Sequence, residues 1–449
     1  MARLCAVIRV TARTLLLILV CLLAVVSGLQ IPHYYHASTR TNSSPPDRSA
    51  RYNPATPRAA IAIDLGNTNS CVAGYAVPGK PETMFQHCIP SWVAFSDDGT
   101  ALVGEAAKNH AAADPTAAFS GFKRLLGLRY HREDDEDLVQ GLIARVPYKI
   151  GARNVVFPSI QVQATDGEVR QLDVEQVASM VVAELKKMAE EHLGRSVRRA
   201  AVTVPQHFHG PSVWAAMDAG KMAGLDVVRV VSEPVAAAAA YGLGGKLREG
   251  GSALVLHVGG GTAEASVVTL MDDGSLEIVA SREDPFLGGD DFDRRIVDHF
   301  VELIKAKHGK DISEDRVALR KLGVACERAK KALSSQDRAQ VSIESLLSSG
   351  EDFSESLSRE KFEELNGDLF GDVIALVERV VSEAELGRSK DEIDEIVLIG
   401  GSTNVPKIQR LVEDYFGGRK LDVRLKPDEA VAIGAAALVH SSDGIYHNY

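Results

Sequence analysis

From residue 59 onward, short apolar runs bounded by glycine, proline and polar clusters alternate with stretches whose apolar positions recur every three or four residues. The first kind predicts strands and the second helices, and their alternation predicts an α/β protein. Two runs share a design: an apolar strand, a tight glycine turn and a returning strand. The first, Ala60-Ile61-Ala62-Ile63-Asp64-Leu65-Gly66-Asn67-Thr68, returns as far as residue 77. The second, Ala253-Leu254-Val255-Leu256-His257-Val258-Gly259-Gly260-Gly261-Thr262, returns as far as residue 270. They align strand to strand and glycine to glycine, with His257 where the first half has Asp64. Two further buried strands are Ala200-Ala201-Val202-Thr203-Val204, ended by Pro205, and Ile396-Val397-Leu398-Ile399, delivered into Gly400-Gly401-Ser402. Between them, Val177, Met180, Val181, Leu185 and Met188 fall on one helical stripe, and Pro427 opens a small-residue helix over 430–438. The pattern predicts two internally duplicated lobes, not a repeat array.

A chain of 449 residues is long enough for two domains with sizeable cores, and 45% hydrophobic with 25% charged residues is ordinary for a soluble globular protein. The net charge of −11 argues against non-specific binding to nucleic acid or anionic membrane. The acidic run Glu133-Asp134-Asp135-Glu136-Asp137 reads as a solvated loop, since nothing nearby offers fixed ligand geometry for a metal.

Before residue 59 the composition changes. Arg3, Arg9 and Arg13 precede an apolar run over 15–26 and the small residues Val26-Ser27-Gly28, so residues 1–28 read as a secretory signal peptide, with an uncleaved signal anchor as the alternative. Residues 29–58, rich in Ser, Thr, Pro, Asn and Arg, read as a disordered leader. Asn42-Ser43-Ser44 is a glycosylation sequon that has meaning only in the secretory pathway. Cys5 and Cys21 fall in the signal; Cys71, Cys88 and Cys326 are odd in number without metal-ligand spacing, which favours buried free thiols over a Cys71–Cys88 disulfide. The folded region spans 59–441, and a polar tail over 442–449 ends without a luminal retention tetrapeptide.

Glycine loops at strand ends let backbone N–H groups approach phosphate oxygens, and Thr68 and Thr262 add hydroxyls. Asp64, a hard oxygen donor at a strand end, suits the water shell of a divalent cation.

Several motifs are similar to those of the nucleotide-binding domain of the 70-kDa heat-shock proteins. They are Asp64-Leu65-Gly66 with Ser70-Cys71-Val72, Gly104-Glu105-Ala106-Ala107-Lys108-Asn109, Lys123-Arg124-Leu125-Leu126-Gly127 and Val202-Thr203-Val204-Pro205. Further along come Glu233-Pro234, Leu287-Gly288-Gly289-Asp290-Asp291-Phe292-Asp293, Cys326-Glu327-Arg328-Ala329-Lys330, Gly400-Gly401-Ser402-Thr403 and Pro427-Asp428-Glu429-Ala430-Val431. Together with the signal pattern they look most like the luminal binding proteins of the endoplasmic reticulum.

The resemblance implies an actin-like ATPase (ribonuclease H-like) α/β fold, two duplicated lobes around a nucleotide cleft, binding ATP or ADP with Mg²⁺ as a stress-response chaperone ATPase. It implies roles for individual residues: Lys108 as the catalytic lysine at the γ-phosphate, Glu233 and Asp64 ordering the metal and its waters, and Pro205 as a sensor of nucleotide state. Gly66, Asn67, Thr68, Gly259, Gly260, Gly261 and Thr262 would cradle phosphates. Glu327, Lys330 and Ser334, along one helical face, would grip the adenosine, with Gly400, Gly401, Ser402 and Asp428 completing that side. J-domain and nucleotide-exchange co-chaperones would be the partners, and the lumen of the endoplasmic reticulum the location.

The chain also departs from the family pattern. His257 stands for an aspartate that binds metal-coordinated water, Glu264 for another aspartate, and Asn67 for a phosphate-contacting threonine. Lys331 and Asn404 replace two arginines that sandwich the base; His207, His209 and Val213 replace a tyrosine, an asparagine and an arginine. Nor is a Leu-rich linker or a peptide-client domain read after residue 441. These departures imply nucleotide binding with impaired hydrolysis. One alternative is a non-enzymatic interaction or regulatory protein that keeps the fold; another is a sugar-kinase relative, against which Lys123 to Gly127 and Glu327 to Lys330 argue.

Overall fold

The computed structural model describes residues 60–440, apart from 78–79, 97, 164–168, 347–349 and 385–389. The signal, the leader with its sequon at Asn42, Cys5, Cys21 and the polar tail lie outside the described residues. Two sheets carry the architecture. The first is built from β1 (Ile61–Asp64), β2 (Asn69–Tyr75), β3 (Met84–Pro90), β4 (Arg199–Val204) and β5 (Asp226–Ser232), in the spatial order β5-β4-β1-β2-β3. The second is built from β6 (Ser252–Val258), β7 (Ala263–Leu270), β8 (Leu276–Asp284) and β9 (Ile393–Ile399), in the order β8-β7-β6-β9. Their pairing schemes match. Ile63 opposes Val72 across an antiparallel pair and Val202 across a parallel one; Leu256 likewise opposes Ala265 and Leu398. A parallel bridge from Val397 to Asp422 takes the place that β5 holds in the first sheet. The expected duplication and α/β class are therefore present.

Side-chain size alternates along the leading strand of each half, following the two-residue period of a strand. Ile61 and Ile63 pack into one core and Ala62 into another; Leu254, Leu256 and Val258 pack into a third, and Ala253 and Val255 join Ala62. The large residues meet long amphipathic helices. The helices that matter below are α1 (Glu105–His110), α2 (Glu133–Ile143), α3 (Val174–Leu193), α4 (Gly210–Met222), α5 (Glu233–Ala240), α6 (Gly289–His308), α7 (Arg316–Ala332) and α8 (Ala430–His440). Val177, Val181 and Leu185 of α3 cover the first sheet; Phe292, Ile296 and Phe300 of α6 cover the second. Each such side chain contributes about 1.5–3 kcal/mol by leaving water.

The small residues face inward, where α5 and α8 pack against both sheets. A Cβ on Gly434 of α8 would lie 1.7 Å from the Ala236 carbonyl oxygen of α5, so this approach of two backbones admits no side chain.

Two expectations are corrected here. The acidic run does not form a loop but begins α2. Carboxylates favour a helix N-terminus, whose unpaired N–H groups carry partial positive charge, and buried Val139 and Leu142 anchor the following turns. Cys71 and Cys88 are not free thiols: they stand directly opposite in the β2–β3 register and form a disulfide, while Cys326 is free and buried.

Candidate functional site

Both glycine loops leave their sheets at equivalent strand ends, after Asp64 of β1 and Val258 of β6, and they meet. A Cβ on Gly260 would fall 1.8 Å from Thr68 Oγ1, so one loop rests on the bare backbone of the other. The second loop is fastened from behind. Gly289 N and Asp290 N, at the start of α6, donate to the carbonyls of Gly259 and Gly260 at 3.0 and 2.7 Å, and Ser402 Oγ donates to Gly259 O at 2.7 Å. Gly66, Asn67, Thr68, Gly259, Gly260 and Thr262 line one cleft together with Asp64, Pro205, Glu233, His257, Gly400, Gly401 and Asp428. Gly261 sits at its edge, where Arg124 Nη1 donates to its carbonyl at 3.2 Å.

The charges at the floor of the cleft cancel. Lys123 Nζ donates to Glu233 Oε1 at 2.5 Å, and His257 Nδ1 lies 3.2 Å from Glu233 Oε2, so both oxygens of this buried carboxylate are occupied. Burial alone would raise the Glu233 carboxyl, but Lys123 and then His257 hold it well below the usual carboxylate range. Burial would lower the His257 imidazole, yet its hydrogen bond to Glu233 and the charges of Glu233 and Glu264 raise it above its ordinary value. Asp64 accepts from Thr203 Oγ1 at 2.7 Å; burial and then the Glu233 charge push its carboxyl up. Glu264 is tied to the Gln206 N–H at 3.3 Å and to Ser266 Oγ at 3.0 Å.

This donor set does not fit a Mg²⁺ site at the loops. The cation needs hard oxygens with charge to spare, whereas Asp64 stands beside Glu233, both of whose oxygens are held by Lys123 and His257. An anion does fit. Lys123, Arg124 and His257 line the cleft with Thr68 and Thr262, and the Arg124 Nε–H is a buried donor without a hydrogen-bond partner. Orphaned polar groups of this kind mark a ligand or water position.

Other expected residues lie elsewhere. Lys108 is not brought to the phosphate loops: it sits on α1, and its ammonium lies 3.1 Å from Glu327 Oε2 on α7. The lysine in the cleft is Lys123. Its signal in the sequence is a charged residue set among Phe122, Leu125 and Leu126, all buried; a lysine enclosed by apolar neighbours needs a buried carboxylate partner. Lys330 of α7 is also buried, donating to Gly289 O at 2.7 Å and Asp293 Oδ2 at 2.6 Å. Ser334 follows the C-terminal end of α7 at Ala332, its N–H donating to Lys331 O at 3.2 Å. Lys331 is drawn onto Glu327 at 2.7 Å, and Asn404 Nδ2 donates to Gly401 O at 3.0 Å.

Comparison with known proteins agrees with this geometry. A family model described as Hsp70 protein matches residues 60–445. Heat shock 70 kDa protein BIP3 of Oryza sativa subsp. japonica is 47% identical over 380 residues, covering 84% of this chain and 55% of that relative. The chain thus spans about half the length of the curated relative it matches.

Proposed function

The chain belongs to the Hsp70 protein family, and on that premise we propose that it binds ATP or ADP in the cleft while hydrolysing ATP slowly or not at all. One observation carries this reading: Glu233, the carboxylate expected to order a metal and its waters, is held on both oxygens by Lys123 and His257. Phosphates would be received by the loop backbones at 66–68 and 259–262, by the hydroxyls of Thr68 and Thr262, and by Lys123, Arg124 and His257. Glu327, Lys330, Ser334, Gly400, Gly401, Ser402 and Asp428 would form the adenosine side. Removing one preorganised group from such a site costs about 10²–10³ in rate, and both Asn67 and His257 depart from the family pattern. Backbone donors survive these changes, so binding outlasts turnover.

Residues 1–28 and the Cys71–Cys88 disulfide support an oxidising compartment, proposed as the endoplasmic reticulum lumen. J-domain and nucleotide-exchange co-chaperones are the proposed partners. The same neutralised carboxylate favours a second reading, a regulatory protein that uses bound nucleotide only to set its shape.

Calorimetric titration with ATP and ADP, with and without Mg²⁺, together with single-turnover hydrolysis, tests the proposal. Submillimolar binding that persists in chelator, with turnover near the uncatalysed rate, is the expected result. Binding that requires Mg²⁺ and proceeds to efficient hydrolysis contradicts it, as does no binding at millimolar nucleotide.

A further inference from the structure

Glu264 of β7 and Glu283 of β8 stand directly opposite each other across an antiparallel pair. Like charges in that register repel, so the pair needs a counter-charge. The first lobe supplies His207, from the turn that follows β4. His207 Nδ1 lies 3.9 Å from Glu264 Oε2 and meets Glu283 Oε2 in a closer ion pair. Both atoms of that closer pair are shielded from solvent. One nitrogen and two carboxylate oxygens, from three separate segments, thus converge with all ligand atoms within 4.8 Å of one another.

We propose that His207, Glu264 and Glu283 form a divalent metal site of the zinc class, placed between the lobes at the edge of the cleft. One imidazole nitrogen and two carboxylate oxygens are the borderline donor set that Zn²⁺ accepts and that leaves a fourth tetrahedral position open. Ligand atoms on a tetrahedral Zn²⁺ are separated by about 3.4 Å, so the 3.9 Å between His207 Nδ1 and Glu264 Oε2 needs only a small rotamer adjustment. Binding would displace the imidazole proton, and two carboxylates with the neutral imidazole then match a dication. Ser266 Oγ, 3.0 Å from Glu264 Oε1, steadies the oxygen that faces away from His207. His207 and Glu264 both line the cleft, so the open position faces its interior. The site does not use Asp64, Glu233 or bound nucleotide, and its test is independent of nucleotide binding.

The full chain, stripped with chelator and titrated with Zn²⁺ alone, is expected to bind one ion with micromolar affinity and to show no comparable response to Mg²⁺. Glu283→Gln keeps the side-chain shape and is expected to weaken binding by more than the roughly 10–100-fold lost when even an outer partner of a metal ligand is removed. His207→Gln is expected to do the same, with far-UV circular dichroism and the melting temperature confirming that both variants are folded. His87 Nε2 and His192 Nδ1, 3.2 Å apart on the surface, are the competing zinc position. His192→Ala is therefore expected to leave the affinity unchanged. Loss of binding in His192→Ala, unaltered binding in a folded Glu283→Gln or His207→Gln, or no binding below millimolar Zn²⁺ each overturns the proposal.

Discussion

At the scale of single residues, one exchange reorganises the floor of the cleft. His257 takes the second oxygen of Glu233, whose first is held by Lys123, and so closes a buried triad. Restoring an aspartate there reverses the charge. His257→Asp would place a carboxylate beside Glu233 and Asp64 with only Lys123 to offset them. The metal-free variant should lose about 3–5 kcal/mol, the usual result of breaking a buried ion pair. Mg²⁺ should then recover much of that loss, because a cation now has oxygens to bind. Urea unfolding with and without Mg²⁺ checks this, and a variant indifferent to Mg²⁺ would show that position 257 does not control the metal. The residues at this scale were only partly legible in advance. Asp64, Glu233, Gly66, Gly259 and Gly260 line one cleft, yet Lys108 and Lys123 both stand in recognisable motifs, and only the packing of Phe122, Leu125 and Leu126 shows which lysine turns inward.

At the scale of elements, sequence periodicity carried most of the fold. The alternation of isoleucine and alanine in β1 reports two different packing faces, and the alanine runs of α5 and α8 report the close approach at Gly434. Pairing register was not legible. Nothing local in the chain places Cys71 opposite Cys88, because their meeting depends on how β2 and β3 align. The acidic start of α2 is ambiguous in the sequence because a solvated loop and a helix N-terminus favour the same residues. The disulfide has a measurable share in stability: it spans 17 residues, and closing a loop of that length is worth about 3 kcal/mol. Replacing both cysteines by serine should lower unfolding stability by roughly that amount. Denaturant titration in the absence of reductant measures it, and an unchanged midpoint would mean that β2 and β3 are fixed by packing alone.

At the scale of the whole molecule, side-chain contacts join the opposite lobes. Lys108 of α1 pairs with Glu327 of α7, and the Arg320 guanidinium of α7 lies 4.6 Å from the ring centroid of Trp92 in the first lobe. The ion pair is about one-quarter exposed and worth about 1 kcal/mol, so Lys108→Ala should speed nucleotide release about fivefold, as followed by displacement of a fluorescent ADP. Burial would raise the Glu327 carboxyl, but Lys331 and Lys108 hold it at about 2. A value lowered by folding means that the pair contributes fully above the unfolded value near 4.5 and is lost as pH falls towards 2. The rate difference between Lys108→Ala and the parent should therefore stay constant from pH 5 to 8; a difference that vanishes within that range would remove Glu327 as the latch.

The contact between the two glycine loops also separates what the fold demands of a position from what a ligand demands. Gly260 is confined to a single hydrogen by the Thr68 hydroxyl beneath it, so a substitution there is eliminated for spoiling the fold, whatever the protein does. Asp64, Asn67 and His257 meet the cleft instead, where an exchange can alter the chemistry of the lining while the contact between the loops stays. The glycine contact therefore reports the architecture, while the side chains around it report the chemistry.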